Sequence, residues 1–252
     1  MKMNIAIIGY GKMGREIEKA AKAKGIEVAS IIDTNDGNAS YREISAESMR
    51  NVDVCIDFSS PGAVINNLRQ ISKYKKNIVV GTTGWYDKID EARKMVKTSN
   101  IGLVYSSNFS IGVNVFFKII EDAAKIINKI DEYDVYGYEM HHDNKIDSPS
   151  GTAKTIGEIL LKNIKRKNKM LFEKIDRKIN PNELHFASVR TGSMPGTHVV
   201  GFDSSADTIE IKHTARNREG FALGAMMAAK WIKNKKGFYN VNDMMKSIMG
   251  DD

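Results

Sequence analysis

Short unbroken apolar runs alternate with amphipathic stretches through the first half of the chain. Ile5-Ala6-Ile7-Ile8 is the first run, and others follow at residues 28–32, 53–58, 77–80 and 101–105. Between them, apolar positions recur at helical spacing over residues 15–24, 61–74 and 87–97. Strands that are apolar on both faces and alternate with helices predict a parallel sheet covered on both sides. Ser59 or Ser60 is placed to cap the helix over 61–74. The pattern then changes. Residues 112–130 form a long amphipathic helix with Val113, Phe116, Ile119 or Ile120, Ala123 and Ile127 on one side. A strand over 133–140 and a helix over 153–161 follow, then a basic loop running to Glu183. Alternating apolar and polar residues at 185–190, 198–203 and 208–213 predict an open sheet with a single helical face. Residues 221–233 and 241–248 read as helices that return to the first half. The expected domains are residues 1–112 with 218–252, and residues 113–217.

Composition narrows the class without naming a chemistry. The chain has 252 residues, 42% of them apolar, enough for two modest cores. Cys55 is the only cysteine, so no intrachain disulfide can form, and a reducing, cytoplasmic setting is expected. It sits in the apolar run 52–56 and is expected to be a buried strand residue. The first apolar run is too short for a signal peptide, and no run approaches a membrane span. The formal charge of +7 favours anionic ligands. The densest basic run, Lys165-Arg166-Lys167-Asn168-Lys169, has no interleaved aromatics and is expected to be a solvated helix end. No nucleic-acid motif, internal repeat or low-complexity segment is present, so neither nucleic acid nor membrane is an expected partner.

The first strand runs into Gly9-Tyr10-Gly11-Lys12-Met13-Gly14, a strict G-x-G-x-x-G, and the second strand ends in Asp33. Strand, glycine turn, helix, strand and acid in this order form a dinucleotide-binding fingerprint. Gly9 permits the tight turn, Gly11 leaves room for a pyrophosphate, and Gly14 lets the helix pack on the strand. Asp33 is placed to accept from the adenosine ribose hydroxyls. A carboxylate there repels a 2′-phosphate, so NADH is slightly favoured. Arg42 lies farther along the loop and can fold back, which leaves NADPH open. Three small-residue loops follow later strands: Asp57-Phe58-Ser59-Ser60, Gly81-Thr82-Thr83-Gly84 and residues 106–110. Ligands of such sheets bind at these carboxyl ends. The predicted fold class is therefore α/β: a Rossmann-type, doubly wound parallel sheet with a second α+β domain carrying an open mixed sheet.

The richest chemistry lies in the second domain, in Glu139-Met140-His141-His142-Asp143-Asn144-Lys145-Ile146-Asp147-Ser148-Pro149-Ser150-Gly151-Thr152-Ala153. Ser148 is a candidate N-cap and Pro149 suits a first helical turn. The amides of Ser150, Gly151 and Thr152 would then point outward and bind carboxylate or phosphate. Gly151 has no side chain to block an anion. His141, His142 and Lys145 stand just upstream. Paired histidines at a strand end are common in polar loops, but here cap, amides and titratable groups converge on a site that grips a carboxylate and moves a proton.

These residues resemble the dihydrodipicolinate reductase family, the 4-hydroxy-tetrahydrodipicolinate reductases of bacterial lysine and diaminopimelate synthesis. The family pattern Glu-x-His-His-x-x-Lys-x-Asp-x-Pro-Ser-Gly-Thr-Ala stands complete from Glu139 to Ala153. The likeness also covers residues 9–14, 57–59, 81–84, 108–110 and 112–114. Farther on it includes Arg190-Thr191-Gly192, Gly196, His198, His213-Thr214-Ala215, Arg218, Phe221-Ala222 and Gly237-Phe238-Tyr239. It implies an NAD(P)H-dependent reduction of a cyclic dicarboxylate with loss of water. His141 would be the general acid/base and Lys145 the proton donor. His142, Ser150, Gly151 and Thr152 would bind substrate. Gly9, Tyr10, Gly11, Lys12, Met13, Gly14, Asp33, Gly81, Thr82, Thr83, Ser106, Ser107, Asn108, Phe109 and Arg218 would hold the cofactor. No metal is implied. A homotetramer joined through the substrate-domain sheets is expected.

Three positions depart from the family. Thr197 stands where Glu is frequent, Leu223 where Asn is common, and the loop 34–44 is short. Rival readings are a sister dehydrogenase on the same fold acting on another amino or imino acid, a nicotinamide-sensing binding protein, and a nucleic-acid binder. A sensor needs neither His141 nor Lys145. Turnover across substrates separates the two dehydrogenases.

Overall fold

The apolar runs assemble into a six-stranded sheet in which every paired neighbour is parallel. A computed structural model describes residues 3–250. It divides into two compact units, Met1–Ile111 with Arg218–Asp252, and Gly112–Asn217.

In unit 1 the elements are β1 (Asn4–Ile8), α1 (Lys12–Ala23), β2 (Glu27–Ile32), β3 (Val54–Asp57), α2 (Val64–Lys73), β4 (Asn77–Val80), α3 (Ile89–Ser99) and β5 (Gly102–Tyr105). The strand order is β11-β5-β4-β3-β1-β2, where β11 (Gly237–Asn240) comes from the end of the chain. The strand order reverses between β1 and β3, which is where a doubly wound sheet opens its ligand crevice. One face packs Ile5, Ile7, Val54 and Ile56 under α1 and the late helix α6 (Glu219–Ile232). The other packs Ala6, Ile8, Ile78 and Val80 under α2 and α3. Cys55 is fully buried in β3, as its neighbours predict. The last helix is α7 (Val241–Met249), closed on its N-terminal side by an Asn240–Asp243 capping box.

Several boundaries differ from expectation. α1 begins at Lys12 rather than Arg15, because Gly11 is already its extended N-cap, so the last fingerprint residues form the first helical turn. α2 begins at Val64 without a side-chain cap. Ser59 is diverted, since its hydroxyl donates to Asp57 at 2.7 Å. β11 was not foreseen; the half-buried Gly-Phe-Tyr-Asn shows no clear period.

In unit 2, α4 (Ile111–Ile127) and α5 (Gly151–Asn163) cover one face of a second sheet. Its strands are β6 (Asp134–His141), β7 (Lys169–Leu171), β8 (Glu183–Arg190), β9 (Thr197–Asp203) and β10 (Thr208–Thr214), in the order β10-β9-β6-β8-β7. β6 pairs parallel to β8 and antiparallel to β9, so the sheet is mixed. Along α4, Ile120 is fully buried and Ile119 is 47% exposed, which settles the choice between them. The basic run is not a solvated helix end. α5 stops at Asn163, and the Lys167 side chain turns inward. There it pairs with Asp134 at 2.5 Å and donates to the Glu183 carbonyl at 2.9 Å. The short edge strand β7, hidden in this basic loop, was not foreseen.

Candidate functional site

In unit 1 the fingerprint builds a cradle whose shape needs its glycines. Gly9 has φ +86°, and a Cβ on it would lie 2.5 Å from the Phe58 carbonyl oxygen. A Cβ on Gly14 would lie 2.3 Å from the Gly9 carbonyl oxygen, so α1 sits directly on the turn. Around Gly11 the space is open, and no side chain caps α1. Beside this helix start lies a cavity of about 680 Å³, lined by Gly9, Gly11, Asp33, Arg42, Ser59 and Asn67 among others. Open amides at a helix start, glycines where backbone must approach, and an acid at the end of β2 fit a dinucleotide.

Asp33 is more occupied than the sequence suggests. Its Oδ2 accepts from the Tyr10 amide at 2.7 Å, and its Oδ1 accepts from the Asn35 and Asp36 amides at 2.8 and 3.1 Å. The Tyr10 amide is the main cause that holds this carboxyl below its ordinary range. Arg42 does fold back, donating to the Asp36 carbonyl at 2.7 Å, and so brings a guanidinium to the same rim. Tyr10 is buried, with its hydroxyl donating to Glu18 and the Arg15 guanidinium 4.4 Å above its ring. Lys12 is exposed, while Met13 packs against the core.

The remaining cofactor candidates end β4 and β5 or precede α6. Thr82 is buried and donates to Asp57 Oδ1 at 3.0 Å. Asp57, fully buried, also accepts from the Ser59 amide and the Asn67 side chain, and burial pushes its carboxyl up. Gly81 approaches the Phe58 ring so closely that a Cβ would lie 2.1 Å from it. Thr83 and Ser107 are exposed. Ser106 and Asn108 fold their loop by accepting from the amides two residues on, at 2.9 Å each. Phe109 is 1% exposed and belongs to the core, and its carbonyl packs against Gly224, where a Cβ would lie 1.6 Å from the oxygen. Arg218 is exposed at the start of α6.

In unit 2 the predicted cap shifts by two residues. Ser150, not Ser148, is the N-cap of α5, and its hydroxyl accepts from the Ala153 amide at 3.2 Å. Pro149 therefore lies before the helix rather than in its first turn. The shift leaves the amides of Gly151 and Thr152 as the leading unpaired donors. A Cβ on Gly151 would meet nothing within 4 Å, so the approach to them is open. Lys145 Nζ pairs with Asp147 Oδ1 at 2.6 Å, and the ammonium holds the Asp147 carboxyl below its ordinary range. The loop carrying His142 and Lys145 is stapled by Thr191 N to His141 O at 2.8 Å and Asp143 N to Gly192 O at 3.2 Å.

Beneath this loop lies a cluster that joins His141 and Ser150 to four residues with no expected role, Glu139, Ser188, Arg190 and His198. Strand register sets Glu139 opposite Ser188 on β8 and opposite His198 on β9, and His141 opposite Arg190. Glu139 is fully buried. Its Oε1 accepts from the Ser150 amide at 2.9 Å, Ser188 Oγ at 2.8 Å and Arg190 Nη2 at 3.0 Å. Its Oε2 faces His141 Nδ1 at 3.1 Å and His198 Nε2 at 3.4 Å. Against the cost of burial, the nearby His198 imidazole and the bonds from Ser150 and Arg190 hold the carboxyl well below its ordinary range. His141 is 7% exposed, and burial lowers its imidazole from 6.5 to about 4, with Glu139 opposing. The sequence signal was available: Glu139 and His141 alternate on the face of β6 that also carries buried Val135 and Gly137. Among the described residues, Glu139, His141 and His198 have metal-ligand spacing. Arg190 already neutralises the carboxylate, and the group reads as a hydrogen-bond network.

Thr197, one of the departures, is buried in β9 and pairs with Thr214 Oγ1 at 3.0 Å. Leu223 packs against the core of unit 1.

Similarity to known proteins extends over nearly the whole chain. The family pattern for the N-terminus of dihydrodipicolinate reductase matches residues 3–109, and that for the C-terminus matches residues 112–245. A 4-hydroxy-tetrahydrodipicolinate reductase of Christiangramia forsetii is 39% identical, covering 98% of this chain and 99% of the relative. One from Archaeoglobus fulgidus is 36% identical, covering 97% and 100%. Among solved structures, a dipicolinate-bound dihydrodipicolinate reductase from Paenisporosarcina sp. TG-14 shares the fold with a TM-score of 0.79 at 23% identity, covering 96% of this chain and 99% of that one. An amine dehydrogenase from Mycobacterium smegmatis shares the fold more loosely, with a TM-score of 0.60 at 8% identity over 94% of each chain. The sister-dehydrogenase reading thus has fold likeness alone, whereas the reductases match along the full sequence. The chain belongs to the dihydrodipicolinate reductase family, NAD(P)H-dependent oxidoreductases that reduce 4-hydroxy-tetrahydrodipicolinate in lysine biosynthesis.

Proposed function

We propose that unit 1 holds the nicotinamide cofactor at the 680 Å³ cavity and that the start of α5 in unit 2 holds the dicarboxylate. When bound, the nicotinamide supplies hydride to the conjugated imine left by loss of water. The first-turn amides of α1 take the pyrophosphate. Asp33 faces the adenosine ribose, and Arg42 on the same rim can meet a 2′-phosphate, so both NADH and NADPH are accepted.

The single observation that carries the substrate assignment is the open pair of amides at Gly151 and Thr152, with Lys145 upstream on a stapled loop. Those amides, the Thr152 hydroxyl and His142 grip a carboxylate. Charge-assisted hydrogen bonds of this kind contribute roughly 1.5–3 kcal/mol each. Lys145 carries the proton that the enamine needs after hydride addition, and Asp147 keeps its ammonium in place. His141 is neutral near pH 7, given its lowered imidazole, so it accepts and relays a proton rather than serving as the standing acid. The face of the second sheet that presents half-buried Tyr136, Tyr138 and Met140, with Val189 44% exposed, is the surface through which subunits would join as a homotetramer. Among the described residues no helix is long and apolar enough to cross a membrane. The expected place of action is the cytoplasm.

A coupled assay with enzymatically generated substrate, run separately with NADH and NADPH, tests this reading. Oxidation of either cofactor that depends on substrate supports it. No oxidation with either overturns it.

A further inference from the structure

We propose that Glu139 is the positioning residue of the site. One carboxylate oxygen sets the tautomer of His141, while the other fixes the start of α5 through the Ser150 amide. This rests on the acid/base role given to His141 above.

The geometry divides the carboxylate between two tasks. Oε1 is saturated by the Ser150 amide, Ser188 and Arg190. Oε2 is left for the imidazoles, with His141 Nδ1 at 3.1 Å and His198 Nε2 at 3.4 Å. Both Oε2 and His141 Nδ1 are buried and, among the described residues, have no completed hydrogen bond of their own. Buried polar groups in native proteins are almost always paired. Each is therefore the partner nearest to hand for the other, and the proton belongs on Nδ1. His198 has a second option, because Ser150 Oγ lies 3.1 Å from its Nε2. His141 has none.

With Nδ1 protonated, Nε2 carries the free lone pair. That atom points past Gly196, whose φ is +146°, and a Cβ at Gly196 would lie 3.0 Å from it. The glycine thus keeps the reactive nitrogen clear. The charged groups facing His141 are Glu139 on its own strand, His198 on β9, Arg190 on β8 and Lys145 on the following loop. Glu139 is the only anion among them. Arg190 ties the network to the Lys145 loop as well, donating to the Asp147 carbonyl at 2.7 Å. One carboxylate therefore holds the acid/base group and the anion-binding amides in a common frame, which is how preorganised sites hold their reacting groups.

The test is long-range proton–nitrogen NMR on protein labelled in its five histidines, assigned with single His→Gln variants. Wild type is expected to show His141 as the Nδ1–H tautomer. Finding the Nε2–H form in wild type overturns the proposal, and this arm needs no variant to fold and no activity. In Glu139→Gln the Oε1 side still faces donors, so the amide oxygen stays there and the NH2 turns toward His141. Its tautomer should then switch to Nε2–H, and kcat should fall about 10–100-fold. The kcat limb set by His141 should move to lower pH, because the opposing anion is gone. A merely structural Glu139 would lower Tm but leave tautomer and pH profile unchanged in the folded fraction, and that result also refutes the idea. Wild-type protein with the expected tautomer but no reductase turnover would refute the proposed function and leave this assignment standing.

Discussion

Acidification from about pH 7 to about pH 4.5 should destabilise unit 2 through His141. In the unfolded chain the imidazole ionises near its ordinary 6.5, but in the folded one burial lowers this to about 4. A folded value depressed below the unfolded one means that the unfolded chain takes up the proton first. The neutral imidazole's contribution is therefore complete above 6.5 and is lost as pH falls toward 4. The gap of roughly two to three units, at about 1.4 kcal/mol each, sets a ceiling near 3 kcal/mol. Only 7% of His141 is exposed, so solvent screening removes little. At about pH 4.5 most of that ceiling, roughly 2–3 kcal/mol, should already be gone. The comparison is wild type against His141→Gln, which fills the site but does not titrate. His213, also lowered by burial, is common to both and cancels. Both tryptophans, Trp85 and Trp231, lie in unit 1, so their fluorescence does not report on this transition. Amide hydrogen exchange along β6 does. Between the two pH values, wild-type protection factors should fall about 10²-fold more than those of the variant. Equal falls would show that His141 does not carry the acid sensitivity.

Lys145→Ala should cost about 10²–10⁴-fold in turnover while cofactor affinity, read by fluorescence titration, stays near wild type; near-normal kcat would remove Lys145 as proton donor. Asp33→Ala should weaken NADH more than NADPH, and Arg42→Ala should do the reverse. Equal losses for both cofactors in both variants would mean that the rim does not discriminate. Pyridine-2,6-dicarboxylate should inhibit competitively against substrate, and Gly151→Val, whose side chain enters open space beside the amides, should abolish both its binding and turnover but spare NADH. A ternary crystal with the dicarboxylate away from residues 150–152 would contradict that placement.

Local pattern was enough wherever the deciding forces were local. The parallel strands of unit 1, the glycine cradle and the buried Cys55 all follow from runs of adjacent residues. Capping was less legible. Ser148 and Ser150 are equally good caps in composition, and the choice fell to Ser150 because its amide docks on Glu139 and its hydroxyl lies beside His198. Glu139 lies 11 residues away and His198 lies 48 away, both beyond the reach of a local capping pattern.

The sequence by itself determined which segments become strands and helices in the first half, where the glycine turn opens, and which fifteen residues bring two histidines, a lysine and the start of α5 together. Each is encoded by short-range periodicity, by the steric freedom of glycine or by residue types at close spacing. Tertiary structure alone decided what those groups meet. Lys167 became buried because Asp134 and the Glu183 carbonyl receive it. Arg42 reached the rim of the cavity because the loop 34–44 folds back against β2. Glu139 became the centre of a buried polar cluster because register places Ser188, Arg190 and His198 on β8 and β9 around it. A carboxylate's environment depends on which strands pair beside it. A pairing between residues some fifty positions apart leaves no trace in the local pattern of either strand.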